Sequence, residues 1–279
     1  MKEICLTCWD EYQARIEGIK DKYGSHLLAN HKVQHPVLYR GLTDARYTLK
    51  TTLERYSSAP WSVKSYEDLV RRCAPQVASY TGKAWDLPTR EELEEELRTH
   101  DDRSFVHLPS YSFCVHLRHH GFPSPLLDWT MSPYVAAFFA FADQPGSSAD
   151  AVAIFVYINA PRGGHGSIEG TSQISIMGPY VQTHKRHFLQ QACYTVCTKH
   201  VDGAHAFTPH EDVFTRAPAA VGEQDLLFKI TIPKSERLAA LSDLREMNIS
   251  RFSLFQTEEA LTSTLAFEEI EKRGFGVGS

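Results

Sequence analysis

The densest concentration of reactive side chains in this 279-residue sequence is LRHHGFPSPLLDWTMSPYVAAFFAF, residues 117–141. In it His119, His120, Asp128, Trp129 and Thr130 surround a Pro123-x-Pro125 bend ahead of an apolar run. An imidazole and a carboxylate on one rigid segment can share acid–base work, and Asp128 is the only acid of the block. Its other reading is a carboxylate that caps the following helix or pairs with an arginine. Two distant segments offer complementary chemistry. Tyr39-Arg40-Gly41 supplies a guanidinium, which grips phosphate in a bidentate way that lysine cannot. Gln190-Gln191, behind Arg186, supplies amides that can hydrogen-bond a hydroxyl but carry no charge and cannot act as a base. Plainer roles stand beside these: Arg40 in a core ion pair, the glutamines on a strand facing water, and Tyr39, Trp129 and Tyr134 as core or pocket wall. The three segments, around Arg40, 119–130 and 186–191, are predicted to assemble one polar site.

Metal chemistry is the competitor, because 14 histidines is a high count and His116, His119 and His120 are helically adjacent. Cys5-x-x-Cys8 lacks a second matching pair, however, and Cys193, Cys197, His200 and His205 lack zinc spacing, so no metal site is predicted. Arg162-Gly163-Gly164-His165-Gly166 resembles a phosphate cradle only superficially, since neither a lysine nor a helix start follows.

The elements that must position these residues are legible as patterns. Trp9, Tyr12, Ile16, Ile19 and Tyr23, ahead of Gly24, predict an amphipathic helix with a glycine stop. Pro36 opens the β-prone Val37-Leu38-Tyr39, which delivers Arg40 and Gly41 at its end. Ser65 with Asp68 and Thr89 with Glu92 resemble capping boxes and predict helices starting near 66 and 90, the acidic run 91–96 being a solvated face of the second. A third helix is expected over 111–120, stopping at Gly121. Ser132-Pro133 is an N-cap and first-turn pair for residues 134–141, which are apolar on almost every side. That helix must be buried, and the loop in front of it is thereby fixed. Residues 151–158 read as a central strand and 161–170, with four glycines, as a mobile loop. Strands near 191–198 and 226–232 follow, then helices over 235–247 and 257–272, the last capped by Thr257. No repeat, low-complexity tract or linker divides the chain.

Composition narrows the class. With 42% hydrophobic and 23% charged residues the chain is ordinary globular material, and its length suits one large domain. The formal charge of −5 argues against general nucleic-acid affinity but leaves local basic patches at Arg71-Arg72 and at 184–187. No apolar run approaches the roughly 18 residues that span a bilayer, and the acidic start has no signal-peptide core. The expectation is a cytoplasmic protein with reduced cysteines and no membrane association.

Tyr39-Arg40-Gly41, then residues 49–55, then His119-x-Gly-Phe-Pro-x-x-Leu-Leu-Asp-Trp-Thr, then Arg186-x-x-x-Gln190-Gln191, together resemble the motif series of the FRG domain family. The resemblance covers residues 36–265, and its Leu-Leu-Asp-Trp-Thr block is the most specific part. It divides the chain into an N-terminal helical extension, 1–35, and an FRG domain, 36–279. Two departures stand out. Where the family reads Gln-His-Tyr-Gly-x-Pro-Thr-Arg this chain ends in Pro125, so the usual guanidinium is missing or moved, and Ala192 replaces the glycine after the glutamines.

The motif order is in turn similar to that of ADP-ribosyltransferases, in which a first strand ends in Arg or His followed by Gly, a second strand and loop hold nicotinamide, and a late strand provides Glu or Gln. This implies an α+β fold with an ADP-ribosyltransferase-like split β-sheet core and flanking helices. It further implies NAD as co-substrate and an intracellular macromolecular acceptor, protein or nucleic acid. Asp128, His119 and Gln190 become the catalytic candidates, and Tyr39, Arg40, Gly41, His120, Thr130, Tyr134 and Gln191 the cofactor contacts. Cleaving the N-glycosidic bond of NAD releases neutral nicotinamide and leaves an oxocarbenium-like sugar, so a site must hold the pyrophosphate and place negative charge near the cation. With glutamine at the late strand, Asp128 or His119 must supply that charge or base. By analogy with its class such a protein would be a toxin or antiviral effector with a neutralising partner protein. The alternative expectation is a non-catalytic FRG recognition module that binds a nucleotide or nucleic acid through positions such as Arg71, Arg72, Lys185 and Arg186.

Overall fold

The computed structural model describes residues 1–28, 37–99, 108–142, 148–161, 169–178, 181, 184–215 and 224–274. The order of elements is β1 (Lys2–Cys5), α1 (Glu11–Leu28), β2 (Leu38–Leu42), α2 (Thr52–Tyr56), α3 (Val63–Thr81), α4 (Arg90–Thr99), α5 (Tyr111–His119), β3 (Leu127–Thr130) and α6 (Pro133–Phe141). There follow β4 (Ala151–Ile158), β5 (Ser172–Ile176), α7 (Arg186–Leu189), β6 (Ala192–Val201), β7 (Ala204–Phe207), α8 (Asp212–Thr215), β8 (Leu226–Pro233), α9 (Arg237–Glu246), α10 (Arg251–Phe255) and α11 (Glu258–Ala266). The protein is α+β, built on one mixed eight-stranded sheet in the order β1-β8-β4-β2-β3-β6-β5, with β7 added to β6. β1 runs parallel to β8 and the other pairs are antiparallel.

The strand period of two sorts the core into layers. Val152, Ile154, Val156, Phe228, Ile230 and Ile232 point to the face that packs on α1, α6 and α9. Ala153, Phe155, Tyr157, Trp129 and Cys193 fill the opposite face. A third cluster joins Tyr194 and Val196 of β6 to α3 and α5 through Tyr66, Val70, Phe113 and Leu117. β4 is buried on both faces, which is why it reads as an unbroken apolar run. The helix α6 is buried on nearly every side, as its composition requires, and Ser132 Oγ accepts from Val135 N to cap it.

Several expectations are corrected by the structure. α1 runs through Gly24 to Leu28, because a glycine inside a helix costs only about 1 kcal/mol and the buried Tyr12, Ile16 and Ile19 anchor the rest. The segment read as a helical extension also contributes β1 to the sheet edge. α3 starts three residues earlier than the Ser65–Asp68 pair suggests: Ser62 is the cap, its Oγ accepting from Ser65 N while Ser65 Oγ accepts from Ser62 N. The Thr89–Glu92 box forms as expected and opens α4. Residues 127–130, read as the loop before α6, are a strand between β2 and β6. Gln190 and Gln191 precede β6 rather than lying on it: Gln190 caps α7 and Gln191 takes a positive φ of 47°. Pro36 and the glycine-rich stretch 162–168 lie outside the described residues.

One core residue makes a stability prediction. Glu67 is buried beside Cys114, with Oε1 accepting from Ser110 N at 3.4 Å and Oε2 without a partner. Burial pushes its carboxyl above the ordinary value of 4.5. A carboxyl whose folded value is raised binds its proton more tightly when folded, so stability falls as pH rises from the ordinary value through the folded one. Glu67→Gln should therefore melt higher than the parent at pH 7.5 and lose that advantage near pH 4. A pH-independent difference between the two melting curves would contradict this account.

Candidate functional site

The site is built where the sheet opens. β2 and β3 pair at Tyr39↔Thr130, and continuing that register would set Gly41 against Asp128. The strands part instead, and the carbonyl of Asp128 accepts from Arg40 Nη1 at 2.6 Å. Arg40, between Tyr39 and Gly41, starts from the face opposite to Asp128, and its guanidinium reaches Asp128 because the strands separate. Its Nη1 also lies 3.9 Å from Asp128 Oδ2.

Asp128 is gripped from the other side by Arg118, near the C-terminus of α5. Arg118 Nε donates to Oδ1 at 3.2 Å, Nη2 donates to Oδ2, and Nη1 donates to Thr52 Oγ1 at 2.6 Å. Thr52 Oγ1 also accepts from Ser124 N at 2.9 Å, so α2, α5 and the Pro123–Pro125 bend are tied to one point. Both arginine side chains are nearly buried, at 14% and 12% exposure, while the carboxylate side chain is 39% exposed. The charged cluster therefore opens to solvent through its acid.

The electrostatics follow from this packing. Burial works against the Asp128 charge, but Arg118, Arg40 and His119 outweigh it and hold the carboxyl below its ordinary value. Burial pulls Arg40 down to about 10, with Asp128 opposing and Arg118 and Arg55 adding to the shift, so it stays charged at neutral pH. Two guanidinium groups thus act on one carboxylate, and Arg55 adds to the field at Arg40, in a chain of formal charge −5. Arg40 Nε is buried without a hydrogen-bond acceptor. A donor left this way is costly, and a second anion at the opening would relieve it.

His119 stands on the Arg118 side. Its Nε2 is 2.9 Å from the hydroxyl of Tyr194, the residue paired with Asp128 on β6, and that hydroxyl is 3.4 Å from His187 Nδ1. Burial lowers His119 to about 4 against the pull of Asp128, helped by His187, His184 and Arg118. It is a neutral imidazole at physiological pH, with Tyr194 engaged at one nitrogen. On the opposite face Trp129 Nε1 donates to Thr195 Oγ1 at 2.8 Å, which lies 2.9 Å from the buried His210 Nε2.

Arg40, Asp128 and His119 are accordingly brought together, and the other candidates fall elsewhere. Thr130 Oγ1 donates to the carbonyl of Gln190 at 2.6 Å, while the Gln190 side chain donates to Leu254 O at 3.2 Å. Gln191 is exposed, and its carbonyl accepts from Met131 N at 2.9 Å. Gly41 lies under α6: a Cβ there would sit 1.9 Å from Ala136 O. Tyr39 is buried with its hydroxyl unpartnered, and Tyr134 packs edge-on against Tyr12 of α1. His120 is exposed, its ring tilted 48° to that of His116 at 4.5 Å, and His116 in turn lies 4.6 Å from Trp85. Among the described residues no trio of His, Cys, Asp or Glu is placed to hold a metal ion. A cleft of about 630 Å³ lined by Phe138, Leu241, Arg245 and Phe267 lies behind α6 and includes none of the Asp128 cluster.

Residues 35–148, which hold Arg40, Thr52, Arg118, His119 and Asp128, match the family model of the FRG domain. That stretch of the chain is FRG-like. The match ends before Arg186, Gln190 and Gln191, so the third segment lies beyond the matched residues. No curated protein and no solved structure matches the chain. Among the described residues, no helix is long and apolar enough to cross a membrane.

Sequence reasoning missed Arg118, Thr52 and Tyr194 as parts of the site. Arg118 was visible as a cation inside the same block as the acid, ten positions ahead of it. No periodicity links those two positions, because the Gly121–Pro125 bend folds the strand back onto the helix. Tyr194 is betrayed only by strand alternation once the register with β3 is known.

Proposed function

We propose that the opening between β2 and β3 is the NAD site of an ADP-ribosyltransferase-like enzyme acting on an intracellular macromolecule. The observation that carries this reading is the half-exposed carboxylate of Asp128 held between Arg40 and Arg118, with neutral His119 beside it. The motif strands β2 and β3 and the β6 strand that follows Gln190-Gln191 are neighbours in the sheet, which supports one site built from all three motifs. The parting of β2 from β3 is in keeping with a split sheet. Arg40, with its unsatisfied Nε, would take the pyrophosphate, and Asp128 would place negative charge near the oxocarbenium-like sugar. A carboxylate clamped by two guanidiniums is a weaker base than the His119 imidazole, which burial holds neutral at about 4, so proton acceptance from the acceptor falls to His119. Gln190, whose side chain is engaged by Leu254 O, acts through the carbonyl that anchors Thr130. Such a transferase would serve as a toxin or antiviral effector held in check by a neutralising protein.

The runner-up, a non-catalytic FRG module that binds a nucleotide or nucleic acid, is favoured by one feature. Both carboxylate oxygens of Asp128 already bond Arg118, which suits a fixed anion receptor as well as a reacting group. Cofactor consumption separates the two. Calorimetry with NAD should show binding, and Arg40→Ala should weaken it about tenfold to a hundredfold, the loss of a charge-assisted contact of about 1.5–3 kcal/mol. Binding without nicotinamide release in a cell extract would favour the module, and no binding at all would sink both uses of Arg40.

A further inference from the structure

The basic run at 184–187 is not absorbed by the Asp128 cluster, and its surroundings have a chemistry of their own. α7 packs on α10, and Arg186 and Arg251, one from each helix, set their guanidinium carbons 5.4 and 5.6 Å from the centre of the same Phe255 ring. Arg186 Nε is buried without an acceptor, and Lys185 and Arg251 are exposed. Two large aromatic rings stand out into solvent on the same helices: Phe188 on α7 is 69% exposed and Phe252 on α10 is 43% exposed. Arg186 is one of the groups that lower the carboxyl of Glu259 on α11. The ledge therefore carries three cations and two open ring faces, in a protein whose formal charge of −5 would otherwise repel polyanions.

Buried phenylalanine needs no functional account, but two exposed rings interleaved with guanidinium and ammonium groups have a specific physical use. Bases of a single strand present flat π-faces to stack on such rings while the phosphates meet the cations. A duplex hides its base faces and could use only the charges. The ledge is also coupled to the Asp128 cluster. Gln190, directly after α7, bonds Leu254 O of α10 through its side chain and accepts from Thr130 through its carbonyl, and Thr130 lies two residues from Asp128 on β3.

We propose that the α7–α10 ledge is a binding surface for single-stranded nucleic acid, with Phe188 and Phe252 as stacking platforms and Lys185, Arg186 and Arg251 as phosphate contacts. This deepens the transferase reading by naming the acceptor class, and it is tested without turnover. The probe is a fluorescein-labelled mixed-sequence 20-mer strand, followed by anisotropy with the full chain and no NAD. Phe188→Ala with Phe252→Ala should weaken binding about tenfold or more, the scale of lost base stacking. Lys185→Glu with Arg251→Glu should weaken it at least as much, and the slope of log affinity against log salt in the parent should be about −2 for three phosphate contacts. All four positions are exposed, so melting curves should match the parent. Failure of the strand to bind at low salt, equal binding of strand and duplex, or unchanged affinity in both double variants would each overturn the proposal. Transfer of ADP-ribose to protein by a chain that ignores the strand would overturn the ledge and leave the transferase reading standing. Strand binding with no transfer would do the reverse.

Discussion

Asp128→Asn is expected to lower NAD turnover by about 10²-fold or more while tightening NAD binding. The substitution keeps the shape of the side chain but removes the charge that the transition state needs, and losses of that kind are about 10²–10³-fold. It also leaves Arg40 and Arg118 without their counter-ion, so a dinucleotide with a charged pyrophosphate meets a more positive site. Opposite signs in rate and affinity separate this role from a merely structural one, which would weaken both. Stability gives a third reading. A carboxyl held below its ordinary value near 3.8 contributes stability above that pH and loses it as the pH falls through the folded value. Asp128→Asn should therefore be less stable than the parent at pH 7, by a margin that solvent screening at a 39% exposed side chain keeps small, and the gap should close in acid. Nicotinamide release, calorimetry and pH-dependent melts decide the matter. Unchanged turnover in a folded Asp128→Asn protein would remove the carboxylate from the chemistry, and a dead His119→Ala beside it would move the whole burden to the imidazole.

Gly41→Ala is expected to cost about 3 kcal/mol or more of folding stability. The added methyl would stand 1.9 Å from Ala136 O and 2.6 Å from Ala140 N, both backbone atoms of α6. A flexible side chain could step aside, whereas a buried helix cannot shift without disturbing β2 and the core behind it. Shrinking Ala136 or Ala140 offers no relief, since the collision is with the main chain. Urea melts should show a lower midpoint at an unchanged slope. If instead Gly41→Ala melts like the parent and only loses NAD affinity, the glycine serves the ligand and its contact with α6 is misjudged.

These two residues show how differently the site and the frame were written into the chain. Asp128 drew notice because acid, imidazole, tryptophan and proline crowd one segment, a density that packing alone does not require. Gly41 drew notice only as part of a motif, and nothing in its neighbours says that a helix ninety-five residues later needs the space, the separation of 41 and 136 in the sequence. Arg118 is the sharper lesson. Nothing in its own neighbourhood gives it a role, yet it forms the bidentate grip on Asp128 that holds the acid charged. A pairing of that kind depends on how the 121–125 bend closes, which is a matter of three dimensions.

By itself the sequence determined the α+β class, the buried helix behind Ser132-Pro133, the doubly buried strand 151–158, the capped starts at Thr89 and Thr257, and the meeting of Arg40 with the 119–130 block. Each rests on a local physical rule: a hydrophobic period, a side chain that satisfies its own backbone, or a concentration of polar groups too dense to bury without purpose. Tertiary structure alone decided that residues 127–130 are a strand, that residues 2–5 close the sheet edge, and that Gln190 turns its side chain to Leu254. Strands this short carry no readable period, and pairing energy comes from partners 62 or more residues away, so neighbours in sequence cannot announce them. The protonation of the site belongs to the same category, because the low value of His119 and the sustained charge of Asp128 arise from burial and from guanidinium groups that only the folded chain brings within reach.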